Sequence, residues 1–180
     1  MVVKVSKPEI NIREKISELD YGHVPYHKMP AGSVIQVIQG TSTTSVNVNN
    51  TNLTDSPGTV TIYPKSSTSK MLVQYNAGGI ARGQVDSMGL RLMRNDTEIL
   101  GRRRYAYQSA PSGNSNIHPC PITVNLLDEP NTAEPITYKV QVQIETSNGT
   151  AGWQINTSAA APTSIGTPAV ATMVVMEIAG

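Results

Sequence analysis

The sequence predicts an all-β protein, a jelly-roll-like antiparallel β-sandwich with a short helical arm at its N-terminus. Short segments rich in Val, Ile, Thr and Tyr recur from Ser33 onward, and clusters of Gly, Pro, Asn and Ser separate them. Phe is absent and aromatic residues make up only 4% of the chain, so the core must consist of Val, Ile, Leu and Met. Such side chains suit sheets packed face to face. Eight or nine short strands favour a sandwich, most simply a jelly roll.

The segment Ile136–Glu145 is the cleanest strand. Ile, Tyr and Val residues alternate there with Thr, Lys, Gln and Glu, which predicts one buried and one solvated face. The full set of predicted strands is Ser33–Gln39, Thr59–Tyr63, Lys70–Tyr75, Ser87–Arg94, Arg104–Gln108, Pro121–Leu127, Thr137–Thr146, Gly152–Asn156 and Ala171–Ile178.

Five glycine-containing segments are predicted to be turns, among them residues 76–79, 111–114 and 147–150. Asp55-Ser56-Pro57-Gly58 ends in a Pro-Gly pair, which type II turns favour at their two central positions. Gly78-Gly79-Ile80-Ala81-Arg82-Gly83 lacks the Lys-Ser/Thr pair of a phosphate-binding loop, so the expectation is a plain turn.

The first 32 residues are predicted to form an arm, and residues 33–180 the sandwich domain. Asn11 can cap a helix, with Glu14 reaching back to it, and Ile12, Ile16 and Leu19 follow at helical spacing. A Pro- and Gly-rich connector, residues 22–32, then separates helix from domain. A helix this short needs a surface to lie against, so the arm is expected to dock onto another chain.

Composition excludes several classes of protein. The 180 residues carry a formal net charge of +1, which gives no global field for nucleic acid or for a membrane surface. Cys120 is the only cysteine, so no intrachain disulfide is expected. The sequence contains neither a signal-peptide pattern nor about 20 consecutive apolar residues. These features predict a product that is made and folded in the cytoplasm.

Two pairs of side chains have the residue types of a reactive site. His23 and His27 have the spacing of metal ligands on a helix, but Pro25 between them disfavours a helix, so a linker is the preferred interpretation. His118 and Cys120 are a base and a nucleophile, yet no motif supplies a third, orienting group. The two prolines that flank Cys120 favour a rigid entry to a strand instead. The expectation is therefore no metal, no cofactor and no catalytic residue.

Arg102, Arg103 and Arg104 form the strongest charge cluster of the sequence. Guanidinium groups bind carboxylates and phosphates in a bidentate manner, so the cluster is a possible partner contact. A solvated loop or strand end is the simpler alternative. A nucleic-acid site would need more basic residues or interleaved aromatic side chains.

Two longer stretches resemble a known family. Lys7 to Asp20, KPEINIREKISELD, resembles a short N-terminal module of virion structural proteins of marine phages and cyanophages. Pro30 to Val37, PAGSVIQV, resembles the opening strand of small phage virion proteins of tail-fibre-like type. Further matches lie at residues 69–73, 92–97, 127–132, 137–142 and 171–179. The sequence departs from the family pattern near residues 102–104 and 117–121, where a Ser/Gly-rich loop is usual.

The resemblance implies a structural role, a β-sandwich and threefold assembly. The leading hypothesis is a capsid decoration or cement protein on the virion surface, a homotrimer without enzymatic activity whose arm contacts the major capsid protein. The docking contacts would then come from four arm residues, Ile12, Arg13, Ile16 and Leu19. The alternative is a head-fibre or tail-fibre adhesin that binds a host-surface glycan. A polysaccharide depolymerase ranks third.

Overall fold

The computed structural model describes residues 25–82, 88–106, 117–119, 121–145, 152–156 and 169–180. For residues 80–82, 102–106 and 117–119 it describes the backbone alone. The described residues form one 3-10 turn, Tyr26–Lys28, and twelve strands. The strands are β1 (Val34–Ser42), β2 (Val46–Val48), β3 (Thr54–Ile62), β4 (Lys70–Ala77), β5 (Gly79–Arg82), β6 (Met88–Arg94), β7 (Thr97–Ala106), β8 (Ile117–Pro119), β9 (Ile122–Asp128), β10 (Ile136–Ile144), β11 (Gly152–Ile155) and β12 (Ala171–Ile178).

The eight longer strands form two antiparallel four-stranded sheets. The first sheet has the order β1-β12-β4-β9, and the second has the order β3-β10-β6-β7. The chain enters the first sheet at β1, crosses to β3, returns at β4, crosses again to the β6–β7 hairpin, and ends by alternating between the sheets. This double Greek key is a jelly roll, so the predicted fold class is confirmed. The predicted arm helix, the four docking residues included, lies outside the described residues.

A third small sheet extends one end of the sandwich. Its order is β2-β11-β5-β8, and each of its strands lies in a connection between the first and second sheets. All four of these connections lie at the same end of the jelly roll, because the strands that precede them run in the same direction. The third sheet therefore continues the sandwich along its long axis.

The core lies between the inward faces of the first two sheets. In β10 the inward residues Ile136, Tyr138, Val140, Val142 and Ile144 are each 0% exposed, as the sequence alternation predicts. Strands β4 and β12 present Met, Val, Tyr and Ala to the same core. Val48, Trp153 and Ile155 of the third sheet belong to this core as well. One continuous core thus spans all three sheets.

Two of the predicted turns, residues 55–58 and 78–83, are wrong. Gly79–Arg82 is strand β5, which pairs with β11 on one side and β8 on the other. Asp55 to Gly58 lie within β3 as a bulge, because Thr59 pairs with Lys139 while Asp55 pairs with Gln141. Gly58 does have a positive φ of 94°, the backbone conformation that the turn prediction assigned to it.

The bulge is held by a buried tyrosine of the opposite sheet. The Tyr75 hydroxyl lies 2.5 Å from Ser56 Oγ and donates to Pro57 O at 2.7 Å, and its side chain is 1% exposed. Burial raises the pKa of Tyr75 to about 12, an effect that the Ser56 hydrogen bond partly offsets. Burial also raises the pKa of Tyr138, and the neighbouring Asp128 carboxylate raises it further.

These shifts predict alkaline unfolding. The folded protein keeps the Tyr75 proton up to about pH 12, whereas the unfolded chain releases it near 10.0. The stabilisation is complete below pH 10 and is lost as pH rises toward 12, by about 1.4 kcal/mol per pH unit for each such tyrosine. Urea titrations across this range measure the slope, and Tyr75→Phe is expected to reduce it. An unchanged slope in that variant would contradict the assignment.

Candidate assembly surface

The two outward faces of the sandwich differ in charge. On the first sheet, strand pairing aligns Val37, Met176, Leu72 and Leu127 in one line across all four strands, which we call the apolar row. Val37 is 53% and Leu127 50% exposed. Exposed apolar side chains are ordinary when scattered, but a contiguous line of them marks an interaction surface.

The rows that continue toward the third sheet are uncharged too. One consists of Gln39, Val174, Gln74 and Asn125, and the next of Thr41, Thr172, Asn76 and Thr123. An open groove of about 570 Å³ runs over these rows beside Ala169 and Val170. Three successive rows, twelve side chains in all, thus carry no ionisable group.

Charge appears only at the margin of this face. Beyond the apolar row, Val34 and Ile178 align with Lys70, whose Nζ lies 2.7 Å from Glu129 Oε1. Both side chains of this ion pair are largely exposed, so the pair contributes little to stability. The outward face of the first sheet therefore has an uncharged centre and a polar rim, the arrangement of a protein–protein interface.

The outward face of the second sheet has the opposite character. Lys139 Nζ lies 3.2 Å from Asp55 Oδ2, and Gln141 Nε2 donates to Asp55 Oδ1 at 2.5 Å. Arg91 Nε donates to Gln141 Oε1 at 2.8 Å, and the Arg91 guanidinium also pairs with Glu98 at 3.4 Å. A chain of exposed ion pairs and amide hydrogen bonds is typical of a solvated sheet face.

A charged cluster closes the far end of the sandwich, opposite the third sheet. Arg94 Nη1 donates to both Asp128 oxygens, at 2.9 and 3.1 Å, and the Tyr138 hydroxyl donates to Asp128 Oδ2 at 2.7 Å. The three side chains come from β6, β9 and β10, so the cluster connects the two sheets. Its groups satisfy one another, which indicates a structural role.

The buried carboxylate of Glu177 holds the loop between β3 and β4 in place through hydrogen bonds. Glu177 is 0% exposed, and its Oε1 accepts hydrogen bonds from the backbone N–H groups of Lys65 and Ser66 at 2.7 and 3.3 Å. Gln36 Nε2 donates to the other oxygen at 2.5 Å. The carboxylate therefore also acts as a structural group.

The arginine cluster singled out in the sequence lies at the edge of a sheet. Arg102, Arg103 and Arg104 lie in β7, an edge strand of the second sheet, where a bulge interrupts the pairing with β6. The possible partner contact at these three residues stays a prediction.

One histidine of each candidate metal or catalytic pair lies among the described residues. His27 lies in the 3-10 turn and contacts Tyr26 edge to face, with ring centroids 5.7 Å apart. His118 lies in β8, opposite Ala81. His23 and Cys120 are outside the described residues. Within the described ranges, no three His, Cys, Asp or Glu side chains are grouped to hold a metal ion. That part of the chain also has no helix of the length and hydropathy needed to cross a membrane.

Sequence reasoning did not find the uncharged face of the first sheet. A signal was present in Ala171–Ile178, whose outward residues Val174, Met176 and Ile178 are as apolar as its inward ones. A strand that is apolar on both sides is expected to be covered on both sides. The full row becomes visible only when strand order and register are known.

No protein-family model and no curated protein sequence matches this chain. Among solved structures, similar ones come from infectious bursal disease virus. The Gx strain structure is 11% identical over 81% of this chain, with a TM-score of 0.35. A subviral particle is 14% identical over 82%, with a TM-score of 0.33, and the T13 viral particle is 10% identical over 84%, with a TM-score of 0.34. This chain spans 32 to 39% of the length of those proteins. At these scores the likeness adds no argument beyond the strand order itself.

Proposed function

We propose that this protein is a non-enzymatic virion structural protein that acts by assembly, most specifically a capsid decoration protein that forms trimers on the particle surface. One observation carries the proposal: twelve aligned, uncharged side chains cover the outward face of the first sheet, while ion pairs cover the other face. A jelly roll with one uncharged outer face suits a subunit that buries that face in an assembly.

The sequence resemblance supports the same role. The segment at residues 7–20 resembles the phage module and precedes a jelly roll, and the segment at residues 30–37, which resembles the opening strand of the family, overlaps β1. In this proposal the arm contacts the major capsid protein, and the domain contributes the contacts between copies. Many weak contacts repeated over a shell strengthen it through multivalency.

Copy number tests the proposal. Quantitative mass spectrometry of purified phage particles measures the ratio of this chain to the major capsid protein. A ratio near that of a shell-wide component is expected. Absence of the chain from the particles contradicts a virion role altogether.

Host adhesion is the second candidate, and the groove above the first sheet is the observation that favours it. Gln74, Asn76 and Asn125 line it together with Thr123 and Thr172, so its walls are neutral donors and acceptors of the kind that bind sugar hydroxyls. A few copies per particle, together with binding of the purified protein to host cells, would favour this adhesin function over decoration.

A further inference from the structure

We infer that a second copy of this chain, rather than the capsid protein, covers the outward face of the first sheet. The inference rests on the proposed assembly function and names the partner at this surface. The contact is centred on the apolar row, Val37, Met176, Leu72 and Leu127, and extends over the uncharged rows beside it.

Because this face is uncharged, the same face of a second copy can pack against it. Two copies that meet through three uncharged rows experience no like-charge repulsion and desolvate no ion. Amide side chains each donate and accept hydrogen bonds, and so do the threonine hydroxyls, so these rows can pair with copies of themselves. The outward face of the second sheet lacks this property, because Arg91, Lys139 and their partners already form a charged network.

The size of the face agrees with a contact between copies. Four strands spaced about 4.8 Å apart, over eight residues of about 3.3 Å each, form a face of roughly 500 Å², which comprises the three uncharged rows and the row of Lys70 at the rim. Two such faces bury at most about 1,000 Å², which is the lower limit for a specific interface. Half-exposed apolar side chains at both ends of the apolar row, Val37 and Leu127, make that area favourable to bury.

The ion pair at the margin sets the boundary of the contact. Lys70 belongs to the row that follows the apolar row on the side away from the third sheet, and it pairs there with Glu129. Both side chains are exposed to solvent. Interfaces place charged residues at such a rim and exclude them from the centre. The contact therefore ends near Lys70.

Sedimentation equilibrium of the full purified chain over a concentration series tests the inference. The wild-type protein is expected to self-associate, and Leu127→Asp is expected to weaken the association at least tenfold, because it places an unpaired carboxylate at the end of the apolar row. Val37→Lys is a second variant at the opposite end. Thr59→Asp, on the exposed face of the second sheet, adds the same charge and is the matched control. It is expected to leave self-association unchanged.

A photo-crosslinking residue at position 127 of the full chain identifies which segment or chain covers the outward face of the first sheet. A covalent dimer whose crosslink maps to the first sheet of the other copy supports the inference. An adduct within the same chain, to residues 1–24, overturns it in favour of the arm. A wild-type protein that stays monomeric also overturns it.

The particle copy number is measured separately, so the decoration role and the contact between copies fail independently. Monomers present in many copies per particle overturn the contact between copies, and the trimer with it, and leave the decoration role standing. Dimers support the face as the contact and overturn the trimer.

Discussion

Trp153→Ala is expected to lower the free energy of unfolding by about 3–5 kcal/mol, the range for removing a fully buried large aromatic side chain. Trp153 is 0% exposed and belongs to the core that the first two sheets form. Its strand, β11, lies at the centre of the third sheet, between β2 and β5. The loss measures how much the third sheet contributes to the stability of the whole domain.

Urea denaturation of the wild type and the variant measures this loss. Trp153→Phe keeps most of the buried area and is expected to cost clearly less. Val170→Ala is a surface control, since Val170 is 47% exposed, and it is expected to stay within about 0.5 kcal/mol. A cost below 1 kcal/mol for Trp153→Ala would show that the third sheet folds apart from the core.

Local patterning predicted the central strands of the two large sheets, whose burial follows from alternation alone, whereas the edge strand β7 (Thr97–Ala106) was predicted only at Arg104–Gln108. Ile136–Glu145 was predicted from its alternating side chains, and β10 occupies residues 136–144 with that alternation buried inward. Ala171–Ile178 was predicted with the bounds that β12 has. These strands lie at the centre of their sheets, where packing on both sides reinforces the local preference.

Most of the third sheet could not be predicted in the same way. Gly152–Asn156 was predicted as a strand, and β11 occupies Gly152–Ile155, but β2, β5 and β8 were not predicted. They have three or four residues, too few to show a period, and Gly79–Arg82 begins in a glycine cluster that locally resembles a turn. That segment is a strand only because β11 and β8 pair with it. In the segment Asp55 to Gly58, the positive φ of Gly58 was predicted correctly. The predicted chain reversal was wrong, because the strand continues through a bulge.

The candidate surface depended on the same non-local information. Val37, Leu72 and Leu127 are far apart in the sequence, and nothing in their own segments indicates that they align. The order β1-β12-β4-β9 brings them into one row with Met176. Arg102 to Arg104, by contrast, are conspicuous in the sequence, yet the topology places them on a bulged edge strand. Strand order, more than composition, therefore decides which surface is available for assembly.

Arg94→Met is expected to cost about 2–4 kcal/mol, because it leaves the Asp128 carboxylate without its cation. The Asp128 side chain is only 9% exposed, so water cannot replace the guanidinium. Among the described residues, the Tyr138 hydroxyl is the side-chain donor that still contacts Asp128. The Arg94 side chain is 26% exposed and can rehydrate. Asp128→Asn is therefore expected to cost less than Arg94→Met.

A double-mutant cycle separates these effects. Arg94→Met combined with Asp128→Leu removes both charges, and it is expected to recover part of the loss of Arg94→Met, because replacing a buried ion pair by apolar residues is often close to neutral. Denaturant unfolding of the two single variants and the double variant measures the coupling. A larger cost for Asp128→Asn than for Arg94→Met would contradict this account. Desolvation of the Asp128 carboxylate would then not be the largest effect, and the hydrogen bonds of Asp128 would be the contacts that join the two sheets at this end.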